Sequence, residues 1–237
     1  MSFAEFVNAD GSSVMIGDDY FNYSLRHSQR LTFSAGGILT YDFSVTRDNC
    51  ETPVIAFRTA TVDTVLLSTT RSGNSVTWSF RAFSRYPAQV GTFSFEYWIF
   101  DRPNEPANDF TLILYDGGGN IAFDARRKYL RYLQFFDQDL NGTGPFNFTA
   151  PGNQFAVVQG QLSRVYGYDV IEGGGPGGSN QYFQVIEGKC IRVNGSSFSF
   201  MENPIYSSTP VNSNIFPVAF FYRQQMFLVD VSSMLIP

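Results

Sequence analysis

Charge is what this chain has least of. Lys, Arg, Asp and Glu together make 16% of its 237 residues, against about a quarter in an ordinary soluble domain. That shortage excludes long solvated helices, which need a charged outer face. Long apolar runs are missing too: none approaches the ~20 residues of a membrane helix, so no membrane insertion is expected. Histidine occurs once, as His27, and cysteine twice, as Cys50 and Cys190. A Ser-His-Asp or Cys-His site would have to use His27, and a zinc site would need further ligands. His27 stands in the polar stretch YSLRHSQR, which predicts a solvated side chain without catalytic partners. The two cysteines are 140 residues apart and read as buried thiols; spacing alone does not fix whether they pair. The net charge of −5 leaves no electrostatic footprint for nucleic acid.

What the chain has in excess is aromatic side chain: 25 Phe and 13 Tyr, with two Trp. Residues of this kind suit pleated surfaces, and period-two patterning supplies the strands. In SVTWSFRAF, Val76, Trp78, Phe80 and Ala82 share one face; in GTFSFEYWIFD, Phe93, Phe95, Tyr97 and Ile99 do the same. LTYDFSV alternates through Leu39, Tyr41, Phe43 and Val45, and PVIAFR (53–58) is a continuous apolar run of the core-strand type. Ala35-Gly36-Gly37 reads as a hairpin turn between 30–34 and 38–45, and Asn194-Gly195 as another between 189–194 and 197–201. Helical periodicity is absent; the best helical candidate, 125–132, continues as well into a strand. The chain is therefore expected to be all-β, with antiparallel strands and hairpins building two sandwich-like lobes. The Gly-, Pro- and Asn-rich segment 137–153 marks the boundary, giving an N-terminal domain over 1–136, a linker, and a C-terminal domain over 154–237. A faint internal echo, PVAFFYR (217–223) against PVIAFRT (53–59), fits two halves of one plan.

Candidate chemistry is sparse. Asp10, Asp18 and Asp19 would supply too few oxygens for a calcium loop. Asp124 stands beside Arg126 and Arg127, the makings of an ion pair. Glu96, Asp101, Asp116 and Asp169 are carboxylates from which a glycosidase pair would have to be drawn, but no spacing selects two. The glycine-rich stretch EGGGPGGSN (172–180) lacks the Gly-Lys-Ser/Thr of a phosphate loop and reads as a surface connection between two strands. No catalytic, cofactor or metal residue is assigned. The first ten residues carry two acids and no basic region, which predicts no signal peptide.

One segment says more. Residues 109–133, DFTLILYDGGGNIAFDARRKYLRYL, set a short apolar strand, an Asp-Gly-Gly-Gly-Asn turn, and a second strand entering through an aromatic-Asp pair. Residues 11–24, GSSVMIGDDYFNYS, place a Gly-Ser turn before an apolar-Gly-Asp-Asp-Tyr strand. Together these patterns, over about the first 135 residues, resemble a family of small structural proteins of siphovirus-type tailed phages, encoded with tail tip and fibre proteins. The resemblance implies a non-enzymatic virion component of the tail tip, baseplate or fibre attachment, made in the host cytoplasm. It also implies other phage tail proteins as partners, and a homo-oligomer, a trimer first. The rival reading is a module binding a host receptor or glycan through exposed aromatics; an envelope glycan hydrolase ranks last. Aromatics left over from the core point to assembly independently. Phe83, Trp98 and Phe100 fall on the faces opposite the main stripes and are the interface candidates, because something must cover them.

Overall fold

The computed structural model describes residues 3–7, 13–17, 22–34, 40–84, 91–103, 113–115, 118–172, 175–211, 218–234 and 236. The protein is all-β. Strands are numbered β1 to β18 in chain order, and the described residues add only one 3-10 turn, at Pro176–Gly178.

Six strands form one sheet, in the order β11 (Arg131–Asp139), β18 (Arg223–Asp230), β13 (Phe155–Gln159), β5 (Val54–Arg58), β8 (Thr92–Asp101) and β3 (Ser24–Ser34). The second sheet runs β12 (Phe146–Thr149), β16 (Ser197–Ser207), β15 (Gln181–Asn194), β6 (Asp63–Ser72), β7 (Ser75–Phe83) and β4 (Thr40–Arg47). Its extension, β14 (Arg164–Ile171) with β17 (Ala219–Phe221), pairs with the first half of β15. Two separate hairpins are β1 (Phe3–Val7) with β2 (Ser13–Gly17), and β9 (Ile113–Tyr115) with β10 (Ile121–Asp124). All of these pairings are antiparallel.

The two large sheets pack face to face over one phenylalanine-rich core. Phe80 lies 5.1 Å from Phe57 and 4.8 Å from Phe95, ring centre to ring centre, and Phe43 stacks on Phe80. The same core continues through Phe136, Phe148, Phe155, Phe198 and Phe200. Rings at these separations tilt or stack edge-on, which favours their quadrupoles beyond simple area burial. The alternation in β7 produces this: Val76, Trp78, Phe80 and Ala82 are buried, while Thr77, Ser79 and Arg81 are half-exposed.

Strand order does not divide at 137–153. β13 and β18, from the expected C-terminal domain, sit between β11 and β5; β15 and β16 continue the sheet of β6 and β7. The supposed linker contributes the end of β11 and all of β12. Its glycines and prolines mark turns at strand ends, and a short strand among turn residues escapes pattern reading. The two echoing segments also differ in setting: β5 is a central core strand, β17 an exposed edge. The expected hairpin turn at Ala35–Gly37 lies outside the described residues; the strands that flank it do not pair with each other, since β3 pairs with β8 in one sheet and β4 with β7 in the other. Phe33 of β3 meets Tyr41 and Phe43 of β4, at 4.9 and 4.7 Å. The other predicted hairpins are present: Ile121 opposes Tyr115 around the glycine turn, and Asn194 opposes Ser197 with Gly195 at φ +61.

Candidate functional site

The three interface candidates are not on the surface. Trp98 is 1% exposed and Phe100 fully buried. They lie on the outer face of the six-stranded sheet, and the chain covers them itself. Val231, Met234 and Ile236 fold over them together with Tyr23, Leu25 and Leu130. The indole N–H of Trp98 donates to the Met234 carbonyl at 3.3 Å, and Lys128 Nζ donates to the Ser233 carbonyl, tying the cover down. Phe83 is buried on the outer face of the other sheet against Val65, Leu162, Cys190 and Ile205. Their reading as interface candidates is therefore corrected: of the covers the sequence left open, a second layer, the other half of the chain or a neighbouring subunit, the one present is made by distant parts of the same chain.

The sequence's polar candidates have structural partners. Asp101 accepts hydrogen bonds from the backbone N–H groups of Glu51, Thr52 and Arg102, at 2.7, 2.8 and 2.8 Å. Glu96 is held between Arg30 and Arg58. Asp124 is fully buried and pairs with both Arg126 and Arg127. Among the described residues, His27 reaches the Gln29 side chain, at 3.4 Å, and leans on the Tyr97 ring. Cys50 and Cys190 are separate buried thiols, and burial pushes the Cys190 thiol well above its ordinary value, against a thiolate nucleophile. Asp10, Asp18, Asp19 and Asp116 lie outside the described residues. No helix among the described residues is long and apolar enough to cross a membrane.

Unburied aromatic surface lies elsewhere, on the extension formed by β17, β14 and the Gln181–Glu187 half of β15. No residue of these segments is fully buried on either face. Residues directly opposed across antiparallel strands share a face, so the register sorts them. One face carries Tyr166, Tyr168, Tyr182, Ile186, Tyr206 and Phe221; the other carries Val165, Phe183, Val185, Glu187 and Phe220. Tyr166 meets Phe221 edge-on at 5.7 Å, and Tyr168 meets Tyr182 at 6.0 Å. Cross-strand pairs of this kind contribute about 0.2–1 kcal/mol each. They hold a sheet together but leave its rings half in water: Phe220 and Phe221, on opposite faces of one edge strand, are 55% and 52% exposed. A smaller patch, Tyr132, Phe135 and Phe227, continues the outer face of the six-stranded sheet at its β11 edge.

A charged cluster sits where the sandwich core gives way to this extension. The Lys189 side chain is 1% exposed; its ammonium donates to Glu202 Oε2 at 2.5 Å and to the Gly142 carbonyl, with the Phe146 ring 5.4 Å away. Two residues back on the same face stands Glu187, near the Glu202 carboxylate. Burial, and then the Glu202 charge, raise the Glu187 carboxyl above its ordinary value, while Lys189 partly offsets them. Beside it, Gly167 leaves a groove of about 180 Å³ lined by Val165, Tyr168, Asp169, Val185 and Glu187. Of the four carboxylates flagged in the sequence, Asp169 alone lines this groove; Glu187, Glu202 and Lys189 were not flagged. No local pattern marks them, since Gly188-Lys189 looks like a break between two strands rather than the middle of one. A signal for the extension was present: RVYGYDVI and QYFQVIE have apolar residues at both parities with no polar face and no flanking core strand.

No family model, curated protein or solved structure matches this chain.

Proposed function

We propose that this chain is a non-enzymatic structural subunit of a phage tail, at the tip, baseplate or fibre-attachment region, working by packing against copies of itself and against neighbouring tail proteins. The observation that carries the reading is the extension of β17, β14 and β15, a sheet with half-exposed aromatic rings on both faces. A stable single chain hides such rings, as this one does with Trp98, Phe100 and Phe83. Rings left half-exposed along one sheet are the signature of a surface completed by association. The phage resemblance of residues 11–24 and 109–133 supplies the setting and the first expectation of three-fold symmetry.

The test is the mass of the purified protein by light scattering. A homo-oligomer is expected, and the triple variant Tyr166→Ser, Tyr168→Ser, Phe221→Ser is expected to be a folded monomer. A parent that is monomeric at every concentration, and that retains no partner from tail preparations, removes the reading. A second reading, a receptor- or glycan-binding module, is favoured by the Gly167 groove, where Asp169 and Glu187 offer acceptors beside the apolar Val165 and Val185.

A further inference from the structure

A second cavity lies away from the aromatic extension, where the six-stranded sheet meets the β15–β16 turn of the other sheet. It encloses about 390 Å³ and is lined by Arg30, Arg58, Ala60, Ser94, Glu96, Val193 and Gly195. The sheet builds its charged wall directly: Arg30 on β3, Glu96 on β8 and Arg58 on β5 are register neighbours in one row across three strands. Arg30 gives its Nε–H and one terminal nitrogen to Glu96 Oε1; Arg58 gives its Nε–H to Glu96 Oε2. Two guanidiniums thus share one carboxylate, leaving a net single positive charge in a protein whose overall charge is −5. Among the described residues, neither terminal nitrogen of Arg58 donates a hydrogen bond, nor does the second terminal nitrogen of Arg30. The Arg58 guanidinium lies 5.4 Å from the Trp98 ring centre, and Trp98 is locked in the core. Arg58 is therefore held in place with its terminal fork unclaimed, a donor pair whose spacing suits the two oxygens of a carboxylate.

We propose that this cavity binds a small hydroxylated monocarboxylate of about monosaccharide size, such as a sugar acid. Charge selects a monoanion, because two positive groups and one negative leave one charge to neutralise. A dianion such as phosphate would meet the Glu96 carboxylate with its surplus. Glu96 and the Ser94 hydroxyl then serve the hydroxyl groups: a carboxylate accepts from them, as water-filled polar walls do less selectively. The volume falls at the lower end of small-molecule sites. This site is independent of the assembly surface, so either proposal can fail without the other.

The test uses the full chain and three probes, glucuronate, glucose and inorganic phosphate, followed by calorimetry or by shifts in amide NMR signals. Glucuronate is expected to bind in the millimolar range, at least about tenfold tighter than glucose or phosphate. Arg58→Gln and, separately, the half-exposed Arg30→Gln are expected to weaken glucuronate about tenfold or more, as loss of a charge-assisted hydrogen bond does. Arg223→Gln, which removes an exposed arginine paired with Asp137, is expected to leave binding unchanged. Two arginine variants guard against misfolding of either. Absence of glucuronate binding up to about 50 mM, equal binding of glucose, or undiminished binding in the folded Arg30→Gln protein overturns the proposal.

Discussion

Replacing Trp98 separates a core residue from an interface residue. Its side chain is 1% exposed, donates to the Met234 carbonyl at 3.3 Å, and carries the Arg58 guanidinium over its ring. Trp98→Ala removes a large buried aromatic, for which about 3–5 kcal/mol is typical. It also strands the Met234 carbonyl under its cover. An unfolding entropy of about 2.1 cal/mol/K per residue over 237 residues amounts to about 0.5 kcal/mol/K. A loss of ~4 kcal/mol then lowers Tm by about 8 °C. Trp98→Phe keeps a ring and loses the hydrogen bond and part of the area, so a smaller loss of about 1–2 kcal/mol is expected. The assay is thermal and denaturant unfolding over a wide range of protein concentration. A core residue changes intrinsic stability, so the difference between parent and variant is the same at every concentration. An interface residue changes the association step, and the difference then depends on concentration. A loss under about 1 kcal/mol for Trp98→Ala, or a difference that vanishes on dilution, would refute the assignment of Trp98 to the chain's own core.

Three further outcomes are expected. Lys189→Met leaves Glu202 and Glu187 without their buried cation and is expected to destabilise by about 3–5 kcal/mol; adding Glu202→Gln should restore much of that, as denaturant titration would show. Glu187 and Glu96 should give pH effects of opposite sign. The folded state holds the Glu187 proton more tightly than the unfolded chain does, so its contribution rises as pH falls through its raised value; Glu187→Gln is expected to raise Tm near neutrality and to lose that advantage in acid. For Glu96, burial raises the carboxyl, but Arg58 and Arg30 outweigh it and hold it below the ordinary range. Its contribution is present above the unfolded value and lost as pH falls through the lowered one, so Glu96→Gln should lower Tm near neutrality, with the gap closing in acid. In the glycine hairpin, Gly119 sits at φ +82 in open space, so Gly119→Ala should cost about 1–2 kcal/mol of local strain, read as lost protection of the β9–β10 amides in hydrogen exchange.

The individual strands were largely legible, and their arrangement was not. Alternation in β7 and β8 named the inner face correctly, because a half-buried strand must repeat every two residues. Which strands pair is decided by contacts across long separations, such as Phe57 with Val157 in neighbouring strands, and local pattern carries no trace of them. For the same reason the cover over Trp98, 136 residues further along the chain, was invisible, and Trp98, Phe83 and Phe100 read as surface. Turn composition misled at two places. Ala35–Gly37 is a hairpin turn by composition, yet the strands on either side of it, β3 and β4, belong to different sheets; the Gly- and Pro-rich 137–153 looks like a linker, yet holds β12. The aromatic extension was half legible, since its strands were recognised while the exposure of rings on both of its faces needed the whole fold.

The most direct test of the proposed structural role is a density map of an assembled phage tail in which this chain is sought. Tyr166, Tyr168, Tyr182 and Phe221 are expected to lie beneath a neighbouring subunit, in a contact burying more than about 1,000 Å² in total. A purified particle that lacks the chain, or a map in which both faces of the β14–β15 extension stand in solvent, would contradict it.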